Sequence, residues 1–303
     1  EGRRSRVDQI ADERNRFLKV ILPTIPERVP LQQRLEASPR SGYLRMWVVS
    51  EPGLEVFADV RRGDPRKPWS VVMSLSGADE LKDPILDALE KCGENIAIVN
   101  GRGTGIFSPN GNQIHTAVDH NTAEWSLWVG RSVLGAWGWD VVRVVEGLRL
   151  FPSPEQMKLH LIGIESGGLP MAAAAVAMLS SMVPKENPEW RELKSVSFIR
   201  GLGSYVTGKP FAKEFLGTMV PGILRKFGDV ADILGLVAPV QLAVGGMHNA
   251  LGNSISQGDL DELLLVTREA YQRANSGQQL LIKESFEIEE WMRFSGMKNS
   301  PTG

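Results

Sequence analysis

The sequence predicts an α/β domain with a mostly parallel β-sheet, an antiparallel hairpin at its start and helices on both faces. Residues 44–49 and 54–60 alternate apolar and polar side chains and are joined by Glu51-Pro52-Gly53, which is the pattern of a β-hairpin. Short apolar runs then alternate with helical patterns, and strands that alternate with helices form parallel sheets buried on both faces. A chain of 303 residues is long enough to bury such a core.

The elements follow one another in a regular order. Residues 7–20 show weak helical periodicity, and prolines at positions 23, 26 and 30 then indicate an extended arm, so residues 1–40 are predicted to be an N-terminal helix and arm. Further strands are predicted where short apolar runs lie between turn signals, at residues 70–76, 95–100, 158–163, 193–199, 240–246 and 278–283. Helices are predicted where apolar residues recur at helical spacing, at residues 81–91, 133–150, 169–181, 259–274 and 287–294.

The alternation of strands and helices is consistent with a single domain over residues 41–296, followed by a tail at 297–303. Residues 101–124 and 201–237 interrupt the alternation and are interpreted as insertions that cap the domain. Both insertions follow the C-terminal ends of strands, where doubly wound sheets bind their ligands. A functional site is therefore expected beneath them.

The composition excludes several classes of partner and site. A formal net charge of −2 provides no electrostatic reason to expect nucleic acid or an anionic membrane as a partner. No apolar run reaches the roughly 18 residues of a membrane span. The single cysteine, Cys92, excludes a disulfide within the chain and any cysteine-based metal cluster. No metal or cofactor is predicted, and the oligomeric state is left open.

The most informative stretch is residues 159–168, which reads as a strand, a glycine turn and the start of an alanine-rich helix. This is the pattern of a nucleophile elbow, G-x-S-x-G, in which a sharp turn projects one side chain above the sheet. Gly163 and Gly167 are the two glycines, so the projecting residue is predicted to be Glu165. Ser166 follows one position later, where an elbow normally supplies an N–H group to the oxyanion hole.

Four further stretches carry a resemblance to a known family. They are Ser-Leu-Ser-Gly at 74–77, Asn-Gly-Arg-Gly-Thr-Gly at 100–105, the segment 130–143 that begins Gly-Arg-Ser, and the segment 220–239 that ends in Ala-Pro. In order and spacing the chain resembles the acetyl xylan esterase and dienelactone-hydrolase-like branch of the α/β-hydrolase fold, including its diverged bacterial members. The resemblance implies an α/β-hydrolase fold, a small ester or an acylated carbohydrate as substrate, and a secreted or periplasmic location in a bacterium.

The catalytic triad of such hydrolases is altered at all three of its expected positions. The family requires a nucleophile, then an acid, then a histidine in chain order. Here the elbow presents Glu165, and the predicted strand 240–246, which the acid should follow, is followed instead by Met247 and His248. The last predicted strand is followed by Glu284, and no histidine occurs after His248.

Two other sets of residues could perform the chemistry. Ser166 could act with His248, with Asp229 or Asp232 as the orienting acid. Alternatively, Glu165 could be a carboxylate nucleophile while His248 activates a water molecule, since carboxylates do form covalent intermediates. In the structural alternative, Glu165 only caps the following helix, because a carboxylate is stabilised at a helix N-terminus.

The resemblance also suggests groups that bind the substrate. Oxyanion donors would be backbone N–H groups near Gly77-Ala78 and near Ser166-Gly167. Arg102 and Thr104, in the glycine turn at 100–105, could bind a carboxylate or a sugar hydroxyl. Equally, Arg102 could tie loops together above the sheet, or pair with Glu165.

The remaining histidines and the tryptophans favour structural roles. The spacing of His115 and His120, with Asp119 beside the second, matches no standard metal site. His160 lies among apolar residues and is predicted to be a hydrogen-bonded core histidine. The tryptophans at 125, 128, 137 and 139 could form a carbohydrate platform, but are more often core residues.

Two functions of different class follow from these observations. The first is a carboxylic-ester hydrolase of the acetyl xylan esterase type with a non-standard triad. The second is a catalytically inactive pseudo-hydrolase that keeps the scaffold for a binding or structural role.

Overall fold

A nine-stranded, mostly parallel β-sheet forms the centre of the molecule. The structure, a computed structural model, describes residues 6–149, 151, 157–182, 193–212 and 214–297. Within this part of the chain the strand order is β1-β2-β3-β5-β4-β6-β7-β8-β9. The strands are β1 (Arg34–Ala37), β2 (Leu44–Glu51), β3 (Leu54–Arg61), β4 (Trp69–Met73), β5 (Asn95–Asn100), β6 (Leu159–Ile164), β7 (Leu193–Ile199), β8 (Gln241–Gly245) and β9 (Leu280–Lys283).

The sheet is antiparallel at its N-terminal side and parallel elsewhere. Strand β2 pairs with β1 and β3 in antiparallel register, and β3 pairs antiparallel with β5. All pairs from β5 through β4 to β9 are parallel. The predicted hairpin and fold class are thereby confirmed. Strand β1 lies within the arm predicted at 1–40; all four of its residues are exposed, so no apolar alternation marked it.

Helices cover both faces of the sheet. They are α1 (Arg6–Ile21), α2 (Pro84–Lys91), α3 (His120–Trp128), α4 (Val133–Leu148), α5 (Gly168–Leu179), α6 (Ile223–Lys226), α7 (Val230–Gly235), α8 (Gln257–Leu263), α9 (Leu265–Arg273) and α10 (Ile288–Phe294). Helices α1, α4, α5, α7 and α9 pack on one face, and α2 and α10 pack on the other. Every residue of α4 is buried, which explains its almost continuous apolar sequence.

Several predicted boundaries differ from the structure for local reasons. The helix predicted at 259–274 is divided into α8 and α9, because Leu264 between them has a non-helical backbone (φ −97°, ψ 20°). The segment predicted as an insertion at 201–237 contains α6 and α7, and α3 begins inside the insertion at 101–124. Of the predicted tail, only Met297 lies among the described residues. None of the described helices is long and apolar enough to cross a bilayer.

Candidate active site

Glu165 occupies the apex of a sharp turn between β6 and α5. Strand β6 ends at Ile164, a short 3-10 turn spans Glu165–Gly167, and α5 begins at Gly168. The backbone of Glu165 is left-handed, with φ +55°, which is uncommon for a residue with a Cβ atom. Its side chain is exposed at the C-terminal edge of the sheet, whereas Ser166 is half-buried. In a nucleophile elbow, the surrounding structure holds the apex residue in a strained backbone conformation, and this conformation projects its side chain above the sheet.

Glycines around the turn permit the close approach of strand and helix. A Cβ atom on Gly163 would overlap the backbone of Gly168, and one on Gly167 would overlap the carbonyl group of Met73 at the end of β4. A Cβ atom on Gly168 would overlap the ring of Phe198 in β7. The glycines therefore bring the elbow against the ends of the two neighbouring strands, β4 and β7.

Ser166 and His248 both contact the carboxylate of Glu214. The Ser166 hydroxyl donates a hydrogen bond to Glu214 Oε2 at 3.3 Å, and His248 Nε2 lies 3.3 Å from Glu214 Oε1. The Glu214 side chain is buried, and that of His248 is 19% exposed. The acid thus stands between the hydroxyl and the imidazole, whereas in a Ser-His-Asp triad the imidazole stands in the middle.

The surroundings of the imidazole determine where its protons lie. His248 Nδ1 is 3.0 Å from the carbonyl oxygen of Asn249, so Nδ1 must carry a proton to make this hydrogen bond. Nε2 faces the carboxyl group of Glu214 at 3.3 Å, so the imidazole and the acid form a pair. Burial raises the pKa of the Glu214 carboxyl above its ordinary value; the negative charge of Glu165 raises it further, and His248 and Ser166 oppose both effects.

Glu214 was missed in the sequence because no motif surrounds it. It lies in the segment predicted as the second insertion, and the chain brings it to the elbow only through tertiary contacts. The buried carboxylate of Asp119 accepts hydrogen bonds from the backbone N–H groups of Leu216 (2.7 Å) and Gly217 (2.8 Å), just after Glu214. Trp137 packs against Gly217, where a Cβ atom would overlap its ring. The two predicted insertions are therefore hydrogen-bonded to each other, and Asp119 anchors the turn that follows Glu214.

The predicted orienting acids, Asp229 and Asp232, have another role. Together they form a capping box at the N-terminus of α7: Asp229 accepts from the N–H of Val230, and Asp232 accepts from the N–H of Asp229. Asp229 also binds the N–H of Tyr205 at 2.7 Å and the hydroxyl of Ser204. Their oxygen atoms are thus used by the backbone, and the acid beside His248 is Glu214 instead.

The predicted oxyanion donors after β4 already have acceptors. The N–H of Ala78 donates to Asn100 Oδ1 at 3.1 Å, and the N–H of Gly77 donates to the carbonyl oxygen of Ser74 at 3.2 Å. This loop is therefore tied to the end of β5 by a buried asparagine. The candidate donors that remain are the N–H groups of Ser166 and Gly167 at the elbow.

The side chains of Arg102 and Thr104 are bound by groups of the protein itself. The guanidinium of Arg102 binds Asp140 of α4 at 2.6 Å and also pairs with Glu51 of β2. The hydroxyl of Thr104, which is 1% exposed, donates to the carbonyl of Gly101 at 2.8 Å. The expected alternative pairing of Arg102 with Glu165 is wrong, because the acids that surround this arginine are Asp140 and Glu51.

The other histidines do not enter the site. His160 Nδ1 lies 2.7 Å from the hydroxyl of Ser195, and burial lowers the pKa of His160 to about 4. His120 lies 3.7 Å from Glu124 in the same helix. The described residues contain no group of three or more potential metal ligands.

The tryptophans divide into two pairs. Trp137 and Trp139 are buried in α4, as expected for core residues, whereas Trp125 is 48% exposed and Trp128 is 73% exposed. The expectation of a core role therefore holds for only one of the two pairs.

A cavity of about 360 Å³ lies at the ends of β7, β8 and β9. Arg200, which follows β7 directly and has φ +54°, lies at its wall and pairs with Asp83. Glu284 and Phe286, in the loop after β9 where the sequence pattern led us to expect a triad histidine, line the same cavity. That loop thus borders a pocket, and Glu284 accepts a hydrogen bond from the N–H of Gln257 at 3.2 Å.

Comparison with known proteins establishes the fold. No protein-family model and no curated protein matches the sequence. Among solved structures, a putative acetyl xylan esterase from Bacteroides fragilis is 14% identical, with a TM-score of 0.63 over 92% of this chain and 75% of that one. A glucuronoyl esterase from Teredinibacter turnerae is 13% identical, with a TM-score of 0.58 over 98% and 86% of the two chains. Acetyl xylan esterase 1 from Thermoanaerobacterium is 12% identical, with a TM-score of 0.52 over 96% and 94%. The chain therefore has the α/β-hydrolase fold that its motifs predicted, in a strongly diverged sequence.

Proposed function

We propose that the protein is a carboxylic-ester hydrolase in which Ser166 is the nucleophile and Glu214 is its general base. One observation carries this proposal: the Glu214 carboxylate accepts the hydrogen bond of the Ser166 hydroxyl while His248 holds its other oxygen. A nucleophile paired with a base that a third group orients is the common arrangement for covalent catalysis. Here a carboxylate replaces the imidazole as base, and the imidazole becomes the orienting group.

The first half of the reaction transfers the acyl group to the enzyme. Ser166 Oγ attacks the ester carbonyl carbon, and its proton moves to Glu214. The bond between the carbonyl carbon and the alcohol oxygen then breaks, and the protonated Glu214 donates the same proton to the leaving alkoxide. In the second half, Glu214 takes a proton from water, the hydroxide attacks the acyl carbon, and Ser166 leaves with the returned proton. The sum is hydrolysis of one ester to an acid and an alcohol.

The electrostatics around Glu214 suit this role. A general base works best when its pKa lies near the working pH, and burial shifts the pKa of Glu214 upward in that direction. The separation of Ser166 Oγ and Glu214 Oε2 is 3.3 Å, longer than the usual 2.7–2.8 Å of an O–H···O bond, and catalytic hydrogen bonds tighten in the substrate complex. In this proposal the N–H groups of Ser166 and Gly167, in the 3-10 turn before α5, stabilise the oxyanion.

The substrate class is inferred from the resemblance and the fold. The similar solved structures are described as acetyl xylan and glucuronoyl esterases, so an acylated carbohydrate or another small ester is the proposed substrate.

The proposal is tested by the hydrolysis of p-nitrophenyl acetate and of acetylated xylan. We expect turnover above buffer that disappears in Ser166→Ala and falls by about 10²- to 10⁴-fold in Glu214→Gln, the usual contribution of a general base. Ser126→Ala is the matched control, because its hydroxyl bonds only the carbonyl of Thr122 within its own helix. Loss of activity in Glu165→Gln but not in Ser166→Ala would instead assign the chemistry to the apex carboxylate.

A second candidate function, non-catalytic binding on the scaffold of a hydrolase, is favoured by Glu165. An exposed carboxylate at the apex opposes the negative charge that develops on an oxyanion beside it. If the purified, folded protein hydrolyses neither substrate in any variant, the catalytic proposal fails and this second function stands.

A further inference from the structure

The C-terminal end of α3 exposes a compact set of large apolar side chains. Within five consecutive residues, Trp125 is 48% exposed, Leu127 46%, Trp128 73% and Val129 72%. Trp125 and Trp128 are three residues apart and share a face of the helix, while Ala123 on the other side is buried against the domain. Monomeric proteins rarely expose such a patch without an interaction that covers it. We call these four residues the α3 tip.

A cationic groove adjoins the α3 tip. Its volume is about 840 Å³, and Leu127 and Gly130, which bracket Trp128 and Val129 in the chain, are part of its wall. Four cationic side chains line it, those of Arg16, Lys19, Arg131 and Lys226. Asp12 is the only carboxylate among its described lining residues.

The charges of this groove are only partly compensated. Arg16 donates to the carbonyl oxygens of Lys226 (2.8 Å) and Phe227 (3.4 Å), which are neutral groups. Arg131 pairs with Glu51. The side chains of Lys19 and Lys226 are exposed. The groove therefore carries an excess of positive charge on a chain whose formal net charge is −2.

We propose that the α3 tip and the cationic groove form a docking surface for an anionic lipid bilayer. Indole rings prefer the headgroup level of a bilayer, and Leu and Val side chains gain from burial at the acyl boundary. Lysines and arginines near an anionic leaflet add an attraction of comparable importance, and stable peripheral binding needs two such signals. The aliphatic side chains of Leu127 and Val129 beside the tryptophans add apolar area that a bilayer would bury.

This inference departs from the expectation drawn from net charge, and it is independent of the proposed esterase activity. The cations come from three stretches that are far apart in the sequence, namely α1 with Arg16 and Lys19, Arg131 and Lys226, so a summed charge of −2 conceals their convergence. Binding at this surface would hold the protein at a membrane by its edge.

The experiment is co-sedimentation of the full chain with vesicles at low salt. Vesicles of phosphatidylcholine alone are compared with vesicles that contain about 30% phosphatidylglycerol. The neutral vesicles offer only apolar insertion, whereas the anionic vesicles offer apolar insertion and electrostatic attraction together. We expect binding to the anionic vesicles, at least tenfold weaker binding to the neutral ones, and release at high salt because exposed charges are screened. Trp128→Ala and the double variant Lys19→Glu/Lys226→Glu should each weaken binding at least tenfold. Lys194→Glu, at an exposed position near the start of β7, should bind as the wild type does.

Three results would overturn the proposal. The first is failure of the wild type to sediment with anionic vesicles. The second is equal binding by the wild type and by both groove and tip variants, which would place any membrane contact elsewhere. The third is groove-dependent binding of soluble polygalacturonate or inositol hexakisphosphate without binding to vesicles, which would assign the groove to an acidic glycan or a free polyphosphate. Circular dichroism of each variant confirms that its fold is intact.

Discussion

The left-handed backbone at Glu165 should make glycine more stabilising than alanine at this position, the reverse of the usual order. A Cβ atom in the left-handed region costs about 1–2 kcal/mol, and glycine avoids that cost. Glycine loses part of the advantage, about 0.4–1 kcal/mol, because its unfolded chain is more flexible. We therefore expect Glu165→Gly to be more stable than Glu165→Ala by about 0.5–1 kcal/mol. The exposed side chain makes this comparison clean, since neither variant leaves a cavity.

Urea unfolding of a matched set of variants measures this difference. The control pair is Glu269→Gly and Glu269→Ala, at an exposed position inside α9, where glycine should be less stable than alanine by about 1 kcal/mol. The sign of the glycine–alanine difference should thus invert between the two sites. Midpoints are compared at equal slope, because a changed slope would report a change in the unfolded state. If alanine matches or exceeds glycine at position 165, the turn does not hold its apex residue in the left-handed region, and the interpretation of an elbow with Glu165 at its apex fails.

Three further predictions concern titration and anchoring. In an active enzyme, Glu165→Gln should move the acid limb of the kcat/KM profile to lower pH. The charge of Glu165 raises the pKa of Glu214, so its removal lets the base ionise at a lower pH. An unchanged limb would mean that Glu214 is not the base. Asp119→Asn places an amide donor against one of the two backbone N–H groups and should lower the free energy of unfolding by about 1–3 kcal/mol. Amide hydrogen exchange of the turn after Glu214 should become faster. Unchanged exchange would mean that this carboxylate does not anchor the turn. His160 has a pKa near 4 in the folded state and about 6.5 in the unfolded state. Because the unfolded state binds the extra proton, the free energy of unfolding should fall by about 3 kcal/mol as the pH is lowered from 7 to 4. His160→Gln should lack this part of the pH dependence in urea unfolding, and identical slopes for both proteins would contradict the buried neutral imidazole.

Much of the scaffold could be predicted because it depends on local periodicity. The hairpin over β2 and β3, and the strand-helix alternation, follow from apolar spacing that each segment carries in itself. The elbow was equally visible, because Gly163 and Gly167 mark the close approach of backbones wherever the rest of the chain lies. Boundaries failed where a local feature had no apolar signature, as in the exposed edge strand β1.

The candidate site was predicted only in part, because side-chain partners depend on the path of distant segments. Ser166 and His248 were named from their positions after β6 and β8, but the acid between them was sought in Asp229 and Asp232. Those two residues accept hydrogen bonds from backbone N–H groups at the N-terminus of α7, a role that the capping-box pattern of the sequence indicates. Glu214 had no comparable pattern around it.

The sequence by itself determined the order of elements, the mostly parallel sheet and the place of Glu165 at the apex of the elbow, since each of these is encoded within a few neighbouring residues. Only the tertiary structure decided that Glu214 meets Ser166 and His248, and that cations from three separate segments share one groove beside the α3 tip. The physical reason is that hydrogen bonds and charges act over a few ångströms in space. Residues separated by up to about two hundred positions become neighbours only after the sheet has formed and the loops above it have folded back.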